Sequence, residues 1–154
     1  MRRVQILTDD ELRFIAELVR FKIDFMIVGL AAAALQGAPV VTQDVDLWFR
    51  NLADPGICMA LDRVGGAYVP PSGVNPPMFA ADNVDLFDIV THMHGLGGFE
   101  AEKKRARRIS LGGIRVAVLP LDRIIISKKA TGRPKDRLVL PVLADALKTI
   151  RTLK

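Results

Sequence analysis

One cysteine, Cys58, is too few for an intramolecular disulfide, so stability must come from packing, and a reducing cytoplasm is the expected setting. No apolar run approaches the ~20 residues that a bilayer-spanning helix needs. The opening MRRVQILTDDEL turns acidic before a signal-peptide apolar region could form, so no membrane association is expected. The two histidines, His92 and His94, stand two apart with no third ligand at metal spacing, and they are expected to be loop residues rather than zinc ligands. Neither Cys58 nor any Ser/His/Asp set suggests a covalent nucleophile. Repeats and low-complexity tracts are absent as well.

What is there is ordinary in bulk and uneven in detail. The 154 residues are half apolar and one quarter charged, which fits a single globular domain spanning 1–154. Lysine and arginine exceed the acids by 22 to 17. The surplus gathers in the second half, at Lys103-Lys104-Arg105-Ala106-Arg107-Arg108 and from Lys128 to Arg137. Such charge beside an acidic metal site suits a triphosphate or a nucleic acid, although Lys103 to Arg108 reads equally well as a solvated helix face.

The chain is organised around Phe25 to Phe49. The apolar run Phe25 to Val28 reads as a buried strand stopped by Gly29, and Leu30 to Gln36 as a short helix ended by Gly37. A second strand carries Asp44 and Asp46. Side chains two apart in a strand share a face, which puts these like charges about 7 Å apart. A hard divalent cation relieves that repulsion, and Mg²⁺, which keeps phosphate oxygens among its ligands, is the natural choice. The alternative is an edge strand with two solvated acids.

Gly29 followed by Thr42-Gln43-Asp44-Val45-Asp46-Leu47 resembles the signature of the DNA polymerase β-like nucleotidyltransferase superfamily, in particular its small stand-alone members, including those of toxin-antitoxin and abortive-infection systems. A later stretch, Lys128-Lys129-Ala130-Thr131-Gly132-Arg133-Pro134-Lys135-Asp136, is similar to the C-terminal part of the same small members. The resemblance implies an α/β (α+β) fold: a mixed sheet of four to six strands with helices mainly on one face. It implies metal-dependent transfer of a nucleoside monophosphate from a nucleoside triphosphate such as ATP to a hydroxyl on a protein, an RNA or a small molecule. Two Mg²⁺ ions held by Asp44, Asp46 and a third carboxylate are expected.

That third carboxylate is Asp85 by the family pattern in Val84-Asp85-Leu86, with Asp88 in reserve; three apart on the expected strand Asn83 to Val90, the two face opposite sides. Nucleotide contacts are expected from Gly29, Leu30, Thr42, Lys128, Arg133 and Lys135. Leu30 stands where the family has Gly or Ser, and Val40 where many small members have arginine. These departures favour the alternative, a catalytically reduced binding module such as a toxin-antitoxin component or a nucleic-acid-binding subunit. A cognate partner protein and a homo-oligomer are both compatible with the resemblance.

Elsewhere, Thr8 and Glu11 form a capping box ahead of an amphipathic helix reaching about Phe21. A helix over Ile57 to Val64 and a strand at Ala67 to Val69 precede a proline-rich loop from Pro70 to Pro77. The pattern then predicts a helix over Glu100 to Arg108, a hairpin around Gly112-Gly113, and a helix over Leu121 to Ala130. A last helix over Leu138 to Leu153 is expected to break or restart at Pro141.

Overall fold

A computed structural model describes residues 7–81 and 87–153. The first helix, α1 (Asp9–Arg20), starts as its capping box requires: the Thr8 hydroxyl accepts from the Glu11 amide, and the Glu11 carboxylate accepts from the Thr8 amide. The next elements are β1 (Phe25–Val28), α2 (Gly29–Leu35), β2 (Val45–Phe49), α3 (Pro55–Arg63), β3 (Ala67–Val69), β4 (Met78–Ala80) and β5 (Phe87–Val90). They are followed by α4 (Phe99–Lys103), β6 (Arg107–Leu111), β7 (Ile114–Val118), α5 (Leu121–Thr131) and α6 (Pro134–Thr152).

Five strands form one mixed sheet in the order β5-β2-β1-β7-β6. The central strand, β1, is buried along its whole length, as an unbroken Phe-Met-Ile-Val run requires. It runs antiparallel to β2 and parallel to β7, and β5 continues the sheet parallel to β2. α1 and α3 pack together, and Phe14 of α1 meets Phe79 and Phe87 at ring-centroid distances of 5.4 and 5.2 Å. Trp48, pointing away from that cluster, stacks edge-on against Phe99 of α4. α5 packs on both α2 and α6. Among the described residues no helix is long and apolar enough to cross a membrane.

Several expectations need correction. Asp44 is outside β2, which begins at Val45; on the β1 side the ladder already ends at the Val28–Asp46 pair. The helix expected over Glu100 to Arg108 stops at Lys103, and Arg107 and Arg108 belong to β6. A longer helix would set Lys103 over Arg107 and Lys104 over Arg108, both unfavourable like-charge pairs. In the strand, Arg107 and Arg108 face opposite sides.

The segment β4 was not anticipated; it pairs antiparallel with β3 across the proline-rich loop, and Phe79 carries it into the core. Finally, α6 begins at Pro134 and runs through Pro141 without interruption. Pro141 is exposed, so the carbonyl left without an amide partner four residues earlier, at Arg137, is open to water.

Candidate active site

Gly29 ends β1 and begins α2 with φ +69, a left-handed conformation that disfavours side chains. It also lies directly against Asp46: a Cβ at position 29 would stand 2.5 Å from Asp46 Oδ2. The sheet fixes what surrounds that carboxylate. Asp46 is opposite Val28 on one side and opposite Asp88 of β5 on the other, and paired residues on neighbouring strands share a face. Asp44 stands just before the strand, in a loop where the Thr42 hydroxyl donates to the Asp44 carbonyl and accepts from the Asp44 amide, at 3.1 and 3.3 Å.

Asp46 and Asp88 both feel neighbouring acids. Burial, then the charge of Asp88, raises Asp46 from the usual carboxylate range to about 6, and Asp44 adds to the rise while Lys128 and Lys135 oppose it. Partial desolvation and the charge of Asp44 also raise Asp88. Mutually repelling carboxylates at the end of a buried strand form a donor set for a hard cation. Among the described residues no three His, Cys, Asp or Glu side chains form a ready-made cage. Mg²⁺ does not need one, since it takes one or two carboxylates and completes its shell with water and phosphate oxygens. The residues present therefore fit Mg²⁺ bound together with a phosphate-bearing ligand.

Positive charge comes from the junction of α5 and α6. Asp136 is buried there, and its carboxylate holds Lys128 Nζ at 3.3 Å and Arg133 Nε at 2.8 Å. Burial alone would raise Asp136, but the hydrogen bond from Arg133 and the charge of Lys128 bring it down to about 2. Arg133 N–H also donates to the same carboxylate, so the Gly132-Arg133-Pro134-Lys135-Asp136 stretch caps α6 while Arg133, with Lys128 of α5, presents positive charge to the site.

Gly29, Asp46, Lys128 and Arg133 line one cleft of about 430 Å³. Thr42, Leu30, Asp44, Asp88 and Lys135 are not part of its wall. Thr42 shapes the loop holding Asp44, Leu30 packs half-buried against the core, and Lys135, exposed, acts on Asp46 through its charge. Asp85, the expected third carboxylate, lies outside the described residues; Asp88 is the carboxylate that the described part of β5 places beside Asp46.

His92 and His94 are loop residues, as expected, and the fold brings them to the site. Their rings, 5.2 Å apart and edge-on, line the same cleft as Asp46. The loop after β5 turns back onto α5 at Gly95, where a Cβ would stand 2.7 Å from Ala130 Cβ. Gly95, with φ +76, is the one sequence signal for that close approach.

No protein-family model matches the chain, and no curated protein matches it. Solved structures do. ANT(2″)-Ia, in complex with adenylyl-2″-tobramycin, superposes with a TM-score of 0.60 at 14% identity over 92% of this chain and 91% of its own. TM1012 of Thermotoga maritima, assigned as a nucleotidyltransferase, gives 0.55 at 16% identity over 97% and 98%. An antigenic nucleotidyltransferase-like protein of Paracoccidioides brasiliensis gives 0.55 at 17% over 93% and 78%. With the mixed five-stranded sheet and the Gly29–Asp46 contact in hand, these likenesses show that the chain has the nucleotidyltransferase fold.

Proposed function

We propose that the protein is a metal-dependent nucleotidyltransferase that moves a nucleoside monophosphate from a nucleoside triphosphate, with ATP the first donor to test, to a hydroxyl acceptor. The observation that carries this reading is the pairing of Asp46 with Asp88 on adjacent parallel strands, against the backbone of Gly29. A stabilising ion pair would have lowered Asp46; burial and then the charge of Asp88 raise it instead to about 6, which suits an acid that takes a cation. The adenylylated small molecule in the ANT(2″)-Ia structure supports adenylyl transfer as the reaction to test first.

Asp46 and Asp88, with Asp44, would hold Mg²⁺, which when bound neutralises phosphate charge and lowers the pKa of an acceptor hydroxyl. The chain's own residues do the rest. Asp46, raised to about 6, is largely ionised at neutral pH, and its carboxylate would be among those that hold the cation. Lys128 and Arg133, anchored on buried Asp136, keep positive charge at the cleft wall without having to be reordered as a triphosphate arrives. The Gly29 backbone lets a ligand approach closely where any side chain would collide with Asp46.

Leu30, packed on the core where the family has Gly or Ser, favours a second reading: a binding module that keeps the fold and has given up catalysis, as in a toxin-antitoxin component. Calorimetric titration of Mg²⁺ with a non-hydrolysable nucleoside triphosphate into the wild type, Asp46→Asn and Asp88→Asn separates the two. Metal-dependent binding lost in both variants supports the transferase. Absence of binding by the wild type would sink it and leave the binding module.

A further inference from the structure

A second, larger cleft lies elsewhere. It has a volume of about 820 Å³, within the size range of small-molecule sites, and opens where β1 begins and β2 ends. Phe25, one of its lining residues, is three residues from Val28 along β1, about 10 Å from the Asp46 end of the strand. Five cations line it: Lys22, Arg50, Lys103, Arg108 and Arg115.

Its two acids are already engaged. Asp24 is paired with Lys103 and, at 3.7 Å, with Arg50, which also pairs with Glu100. Asp54 caps α3, accepting from the Gly56 amide at 2.9 Å. Among the described residues no carboxylate lies within ion-pairing distance of Lys22, Arg108 or Arg115, which leaves three positive charges on one concave surface.

Two features show charge set against ordinary folding preference. Arg108 is opposite Ala117 and Arg115 opposite Ser110 across the β6–β7 ladder, so both arginines project from the same face as diagonal neighbours, roughly 7–8 Å apart. Like charges so placed repel. Lys22, just after α1, has φ +57, the one non-glycine residue among those described in the left-handed region. Glycine is the usual occupant of that position after a helix. A strained lysine and two diagonally placed arginines line the same hollow.

We propose that this cleft is a second binding site, separate from the Asp46 cleft, for a small molecule carrying two or more phosphate groups. Two guanidinium forks and an ammonium match the charge and geometry of such a ligand. The concave shape favours a compact anion over a nucleic-acid strand or an extended acidic peptide, which would call for a long row of contacts. The proposal stands independently of the function assigned to Asp46.

The test is an amide NMR titration of the full chain with inorganic tripolyphosphate, in EDTA and at low salt. Perturbed amides should cluster at Lys22, Arg50, Arg108 and Arg115, and an Arg108→Gln/Arg115→Gln variant should bind at least about tenfold more weakly. Both arginines are exposed, so the variant should keep a dispersed spectrum. Lys22→Gly is the sharper case: glycine suits the backbone there, so the thermal midpoint should hold or rise while affinity falls. The proposal is overturned if perturbation is confined to Gly29, Asp46 and Lys128, if the variants bind as the wild type does, or if an RNA oligomer or an acidic peptide shifts these amides where tripolyphosphate does not.

Discussion

Gly29 and Asp46 touch so closely that a methyl group on the first would stand 2.5 Å from a carboxylate oxygen of the second. Gly29→Ala should therefore displace the Asp46 carboxylate and strain a backbone at φ +69, destabilising the fold by about 2 kcal/mol. Binding of Mg²⁺ with a nucleotide should fall by more than that loss of stability explains. Chemical denaturation and calorimetry on the same variant check both halves.

Asp46→Asn should stabilise the metal-free protein. An acid near 6 when folded and 3.8 when unfolded holds more protons folded than unfolded between those values. Its contribution to stability is thus fully present below about pH 4 and is lost as pH rises through 6. In EDTA the variant should exceed the wild type by about 1–2 kcal/mol at pH 8, with the gap closing towards pH 4. A gap that does not vary with pH would show that Asp46 is not the group responsible.

Asp88→Asn should lower the pKa of Asp46, because burial remains while the repulsion from Asp88 is removed. Carboxyl-carbon NMR titration reads this directly. The same variant should take up Mg²⁺ with a nucleotide at least about tenfold more weakly, as expected when one of two adjacent carboxylate ligands is lost.

Asp136→Asn should cost about 3 kcal/mol at neutral pH, since Lys128 and Arg133 both lose a buried partner. Here the folded value, about 2, lies below the unfolded 3.8, so the stabilisation is present above about pH 4 and lost as pH falls through 2. Urea unfolding of wild type and variant should therefore converge in strong acid.

The parts of this molecule written in local chemistry were legible in its sequence. The Thr8–Glu11 box, the apolar β1 run and the glycine stop at residue 29 each depend on a few adjacent residues, and each is where the pattern put it. What could not be read depends on pairing between distant segments. Asp44 lies one residue before β2, whose first residue, Val45, is held by Phe87 of β5 and not by β1. Asp88 stands by Asp46 only through the β2–β5 register, which alternation within one strand cannot supply. Arg107 and Arg108 join a strand because β7 offers them a partner. His92 and His94 reach the cleft through a turn at Gly95 that is one residue long in its signal and tertiary in its effect.

The pairing of Ile27 with Val118 closes a loop of roughly ninety residues between two parallel neighbours at the centre of the sheet. On a chain emerging from the ribosome, β1 and β2 can meet early, but the other edge of β1 has nothing to bond until most of the protein has been made. Lys128 and Arg133 follow later still, so Asp46 is made before the cations that share its cleft. A chain stalled between β6 and β7 would expose the most apolar strand of the fold along an open edge, making that interval the point in its synthesis at which it most needs a chaperone.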